Sequence, residues 1–264
     1  MGMIDNPFMK LFCRDFGGTD KPPLVILHGL FGSSRNWQKI GKRLADSFHV
    51  LALDLPNHGE SSPSKDLSYP TIVKDVLETL KSLGLQKIHL LGHSMGGKVA
   101  MHLACHYPNQ IESLYIIDVA PKDYPSYQKA IEAMQHLDLQ HLKTRREAVE
   151  QMESEIPNLE TRLFMLTNLT REEGDGFRWQ IDLENLQRAE PGIRKTSLAE
   201  KDRFEREAFF IVSQEGGYVT LQDYPRIRHH FPKADIKALP NVGHNIHIDA
   251  QEKLVEMICR GAQI

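Results

Sequence analysis

The chain has 264 residues, with 41% hydrophobic and 25% charged residues, values ordinary for a soluble globular protein with a sizeable core. Its formal charge of -3 and the lack of a basic stripe interleaved with aromatics argue against nucleic acid as a partner. No window reaches the run of about 18 apolar residues expected of a membrane span, and the N-terminal stretch MGMIDNPFMKLF lacks the long apolar segment of a signal peptide.

Gly2 invites a myristoylation reading, but Asn6 stands where Ser or Thr is needed. Cys13, Cys105 and Cys259 are far apart and odd in number, which suits reduced thiols in a cytoplasmic protein better than a disulfide framework or a zinc site.

Short apolar blocks recur along the first half. Leu24 to Leu27 ends at His28-Gly29, Val50 to Leu53 at Asp54, Ile88 to Leu91 at Gly92, and Leu114 to Ile117 at Asp118. Such blocks predict parallel strands covered on both faces. Helical spacing lies between them, in Ser34 to Ser47 (Trp37, Ile40, Leu44) and in Tyr69 to Leu83 (Ile72, Val73, Val76, Leu77, Leu80), the latter stopped by Gly84. The alternation predicts a mostly parallel, doubly wound α/β sheet, whose chemistry sits beyond the carboxyl ends of the strands.

From about Pro121 to Arg206 the pattern becomes helix-rich and charged, with scattered Met134, Met152, Phe164, Met165, Phe177 and Trp179. This predicts a helical cap insertion, residues 122–205, over a core formed by residues 1–121 and 206–264. Strands resume at Ala208 to Val212 and Asp235 to Leu239, followed by a last helix near Gln251 to Cys259.

Gly92-His93-Ser94-Met95-Gly96 follows the third apolar block and precedes a helical pattern from Lys98 to Tyr107. Gly-x-Ser-x-Gly at a strand-to-helix turn is the setting of an exposed nucleophilic serine, Ser94. The glycines relieve crowding in the tight turn, and the helix that follows aims its first amides at developing negative charge. His28-Gly29-Leu30-Phe31-Gly32, after the first block, offers a second backbone amide. Leu30 and Met95 are therefore the candidate oxyanion donors, although a plain glycine turn is the better explanation of the first loop taken by itself.

A base is needed, and there are 13 histidines. His244 follows a late strand and precedes the last helix; His247 is its local rival. His58 reads as a structural loop residue, and His93 as a residue packing or hydrogen-bonding beneath the nucleophile. Base catalysis also requires a carboxylate to orient the imidazole.

Taken in order, His28-Gly29, Asp54 to Ser61, Gly92 to Gly97 and Gly243-His244 resemble the α/β-hydrolase superfamily. The string Gly-His-Ser-Met-Gly-Gly-Lys, with Ile117-Asp118-Val119-Ala120-Pro121, resembles the YbfF / abhydrolase-11 type esterase subgroup. The resemblance implies Ser-His-acid hydrolysis of carboxylic esters or acyl thioesters without a cofactor. In the superfamily the acid usually follows the strand before the histidine strand, where this chain has Ser213-Gln214-Glu215. The subgroup uses the position of Asp118. Asp118 is thus the favoured acid, Glu215 the alternative and Asp223 a distant third.

The substrate expected is a small-molecule ester or thioester whose acyl length the sequence leaves open, with Phe31, His93 and Trp179 as pocket candidates. Plain packing of the insertion accounts for its apolar residues as well. Serine rather than aspartate at the elbow argues against dehalogenase or epoxide hydrolase chemistry. A carbon–carbon bond hydrolase, a cofactor-free lyase, or a small-molecule receptor built on the same residues stays open. The histidines show no His-Glu-x-x-His spacing, so no metal is implied.

Overall fold

In the computed structural model, the described residues are 2–3, 11–172 and 176–262. Most of the N-terminal stretch read above for targeting signals, Asn6 included, lies outside them.

The strands are β1 (Gly2–Met3), β2 (Cys13–Asp15), β3 (Pro23–Leu27), β4 (His49–Leu53), β5 (Ile88–His93), β6 (Ile111–Ile117), β7 (Leu169–Arg171), β8 (Phe177–Trp179), β9 (Ala208–Ser213) and β10 (Ala234–Leu239). Eight of them form one sheet in the order β1-β2-β4-β3-β5-β6-β9-β10. From β4 to β10 every pairing is parallel; β1 and β2 add an antiparallel edge. All the apolar blocks of the sequence became parallel strands.

Alternation along each strand sends side chains to opposite faces. Val25, Leu27, Leu51, Leu53 and Leu90 join one core with the helices Tyr69–Ser82 and Met95–His106. Leu24, Ile26, Val50, Ala52 and Leu91 join the other, with Ile40, Leu44, Leu254 and Ile258 from the helices Gln38–Leu44 and Gln251–Gly261. Each fully buried aliphatic side chain contributes about 1.5–3 kcal/mol. The two faces together hold the sheet rigid, and with it the loops at its carboxyl edge.

Between β6 and β9 the chain forms the helices Gln128–Gln135, Arg145–Gln151, Leu159–Met165 and Leu183–Ile193. It also forms the short antiparallel pair β7–β8, which the helix-rich reading of this segment did not name. Three-residue strands are too short to show alternation. The segment is tied to the rest of the chain by hydrogen bonds from Asn168 Nδ2 to the Phe31 carbonyl (2.7 Å) and from the Asp182 amide to the Asn57 carbonyl (3.0 Å).

Candidate active site

Ser94 sits between the end of β5 and the helix Met95–His106, with φ 51° and ψ -116°. A non-glycine residue held there costs on the order of 1–3 kcal/mol. The turn is possible because glycines stand two residues to either side of Ser94. A Cβ on Gly92 would run into the Gly96 carbonyl, and one on Gly96 into the carbonyls of Leu27 and His28. The helix therefore begins against the end of β3, and Ser94, half-buried, stands at the tip.

The loop after β3 is fixed from below. His28 Nε2 accepts from the Leu55 amide (2.9 Å), so its Nδ1 carries the proton and donates to the Gly29 carbonyl (2.8 Å). Burial pushes His28 down to about 4, which keeps the ring neutral. His58 is buried too, donates from Nδ1 to the Pro56 carbonyl, and is pushed to about 3; it belongs to the loop, as its sequence context suggested. Asp54 accepts from the amides of Ser34 and Glu60, closing the same turn.

His244 Nδ1 lies 2.8 Å from Asp118 Oδ2. Asp118 is fully buried at the end of β6, at φ 47°, and its Oδ1 accepts from the Ser213 amide at 2.9 Å. The other two carboxylates lie elsewhere. Glu215 accepts from the Asn241 amide on an exposed loop, and Asp223 pairs with Lys122. His247, the rival base, is 2% exposed and stacks on Trp37 at 4.6 Å; burial pushes it to about 3. His93 donates from Nε2 to the His244 carbonyl at 3.0 Å, and burial holds its ring neutral.

A narrow cavity of about 10 Å³, close to the room of one water, is lined by Ser94, Leu30, Met95, Lys98, Val119, Tyr124, Tyr127, Ile193 and Tyr218. The two candidate oxyanion residues thus share a cavity with the candidate nucleophile. Met95 is the first helical residue, so its amide has no acceptor within the helix. The pocket candidates Phe31, His93 and Trp179 do not line this cavity. Trp179 instead donates from its indole to the Met134 carbonyl and packs within the β6–β9 segment.

Sequence reasoning missed Tyr218 and Lys98. The Tyr218 ring stacks on His244 with centroids 3.6 Å apart and an interplanar angle of 14°. It lies in the loop after β9, where the sequence offers Glu215 as an acid and gives no sign that a ring three residues on reaches His244. Lys98 was read as part of a helix; its side chain is buried and reaches across to residues 193–195. Burial pushes its ammonium down to about 7, while three carbonyl acceptors favour the charged form.

Comparison with known proteins bears on the family and the fold. The model of the alpha/beta hydrolase fold family matches residues 22–251. An sn-1-specific diacylglycerol lipase ABHD11 of Danio rerio is 36% identical over 243 residues, 88% of this chain and 76% of that one. Ethanol acetyltransferase 1 of Cyberlindnera fabianii is 32% identical over 276 residues, 95% of this chain and 82% of that one. A marine microorganism esterase of known structure superposes with a TM-score of 0.90 at 32% identity, covering 96% of this chain and 99% of that one. The chain belongs to the α/β-hydrolase family, and within it to the ABHD11 type.

Proposed function

We propose that the chain hydrolyses carboxylic esters through an acyl-serine intermediate on Ser94. The observation that carries this reading is the buried Asp118 carboxylate 2.8 Å from His244 Nδ1. It leaves Nε2 of the same ring as the acceptor nitrogen that a hydroxyl nucleophile needs. Ser94 attacks the ester carbonyl as His244 takes its proton. The amides of Leu30 and Met95 receive the negative charge that develops on the carbonyl oxygen. His244 then protonates the leaving alcohol. Water, deprotonated by the same histidine, releases the acid.

Residues 122–205 act in this reading as the cap that closes the substrate cavity. Hydrogen bonds from Lys98 to the carbonyls at 193–195 and from Asn168 to Phe31 support it. Three free cysteines accord with a cytoplasmic setting; among the described residues no helix is long and apolar enough to cross a membrane. Thioesters are a second substrate class, since the same steps expel a thiol.

A second reading, transfer of the acyl group from Ser94 to an alcohol in place of water, is supported by the 32% identity to an ethanol acetyltransferase. Product analysis separates the two. With p-nitrophenyl acetate in buffered ethanol, both reactions release p-nitrophenol, but hydrolysis sends the acyl group to acetate and transfer sends it to ethyl acetate. The whole reading requires that Ser94→Ala abolish both products; a mutant forming either at the wild-type rate rejects it.

A further inference from the structure

Lys98 lies four residues beyond Ser94 and lines the same cavity, yet its side chain is 2% exposed. Its Nζ donates to three successive carbonyls, Ile193 (3.1 Å), Arg194 (3.0 Å) and Lys195 (2.7 Å). All three ammonium protons are thereby used. These carbonyls belong to the last turn of the helix Leu183–Ile193 and the residues after it. They are acceptors without intrahelical donors, at the negative end of the helix dipole. The Tyr124 ring, 4.8 Å from Nζ, covers the charge, and Tyr69 Oη donates to the Ile193 carbonyl as well.

A buried ammonium is tolerable only while its protons are bonded. The turn at 193–195 therefore cannot withdraw without leaving a buried amine short of its hydrogen-bond acceptors. Ile193 is kept in the lining of the cavity beside Ser94, which offers about 10 Å³. The cavity is narrow there, so a long acyl chain enters only if its walls move.

We propose that Lys98 determines substrate specificity, by pinning the Ile193–Lys195 turn over the cavity so that it admits esters of short acyl groups such as acetyl. The proposal rests on the reading of Ser94 as nucleophile. A longer acyl chain has to displace Ile193 and break the lysine's bonds to the turn. Misfit by a single methylene in such a pocket alters kcat/KM by roughly 10–200-fold.

The test is hydrolysis of p-nitrophenyl acetate, butyrate, hexanoate and octanoate by the wild type, Ser94→Ala, Lys98→Met and Ile193→Ala. The wild type is expected to lose at least about tenfold in kcat/KM from acetate to hexanoate. The hexanoate-to-acetate ratio should rise by about tenfold or more in Lys98→Met and in Ile193→Ala. A ratio is independent of the fraction of protein folded, so mere destabilisation leaves it unmoved. If Lys98→Met does not accumulate, Lys98→Gln, which keeps two donors for three acceptors, is expected to shift the ratio in the same direction. Ser94-dependent activity on octanoate equal to that on acetate, or wild-type ratios in the lysine variant, overturns the role of Lys98 alone. Full activity in Ser94→Ala overturns the nucleophile reading, and this one with it.

Discussion

The His93 imidazole donates from Nε2 to the backbone carbonyl of His244, 3.0 Å away. The residue just before the candidate nucleophile thus holds the main chain of the candidate base. The His93 ring is fully buried and neutral, so this is a bond that neither water nor mild acid competes for. Replacing it should loosen the His244 loop while leaving the Asp118 contact in place. His93→Phe is expected to lower kcat by roughly 10–100-fold, since displacement of a reacting group by about 1 Å costs that much. Steady-state kinetics with a thermal melt checks it: a folded variant with wild-type kcat contradicts the bond's importance.

The acid assignment predicts an asymmetry between two carboxylates. Asp118→Asn keeps the shape but offers an amide where the imidazole N–H needs an acceptor, and should cost on the order of 10⁴ in kcat. Glu215 accepts from the Asn241 amide on an exposed loop. Glu215→Gln retains an acceptor oxygen and should stay within about threefold of wild type. Kinetics of both variants on one ester decides the matter, and the reverse pattern would reassign the acid.

Buried neutral histidines predict acid sensitivity. His28 is pushed to about 4, and His58 and His247 to about 3, from 6.5 in the unfolded chain. Between those values the unfolded chain binds protons that the native state refuses, so stability falls as pH drops through 6.5 toward 3–4. Each ring should cost on the order of 2 kcal/mol between pH 7 and pH 5. Urea midpoints at the two pH values measure the sum; equal midpoints would show that these rings are protonated without penalty.

The turn at Ser94 makes a prediction of its own. At Gly92 and Gly96 an added Cβ meets main-chain carbonyls, which have no room to give. Gly96→Ala is expected to destabilise the fold by about 3 kcal/mol or more, beyond the usual range of a surface change. A urea titration showing a loss under about 0.5 kcal/mol would mean that the turn relaxes freely.

The parallel strands were legible in the sequence because each is a continuous apolar run buried on both faces. β2 was not, since Cys13-Arg14-Asp15 is short and two-thirds polar; its Arg14 is buried by pairing with Glu60 and Ser34, partners that sequence spacing does not reveal. The turn at Ser94 was legible because Gly-x-Ser-x-Gly is a local pattern enforced by local crowding. The acid was legible only as a preference: the resemblance favoured Asp118 over Glu215, but β6 and β9 are neighbours, Ile117 opposite Ile211, and both end at the same edge of the sheet. Only the side-chain distance separates Asp118 from Glu215. Lys98 and Tyr218 escaped for the same reason, as their partners lie far away in the chain.

The most direct test of the central claim is covalent. Wild type and Ser94→Ala are each mixed with p-nitrophenyl acetate, quenched in acid within the first turnover and examined by peptide mass mapping. Acylation at Ser94 predicts an acetyl group on the peptide containing that residue, and a loss of a thousandfold or so in p-nitrophenol release by the mutant. An acetyl group on another residue, or release by Ser94→Ala at the wild-type rate, would contradict it.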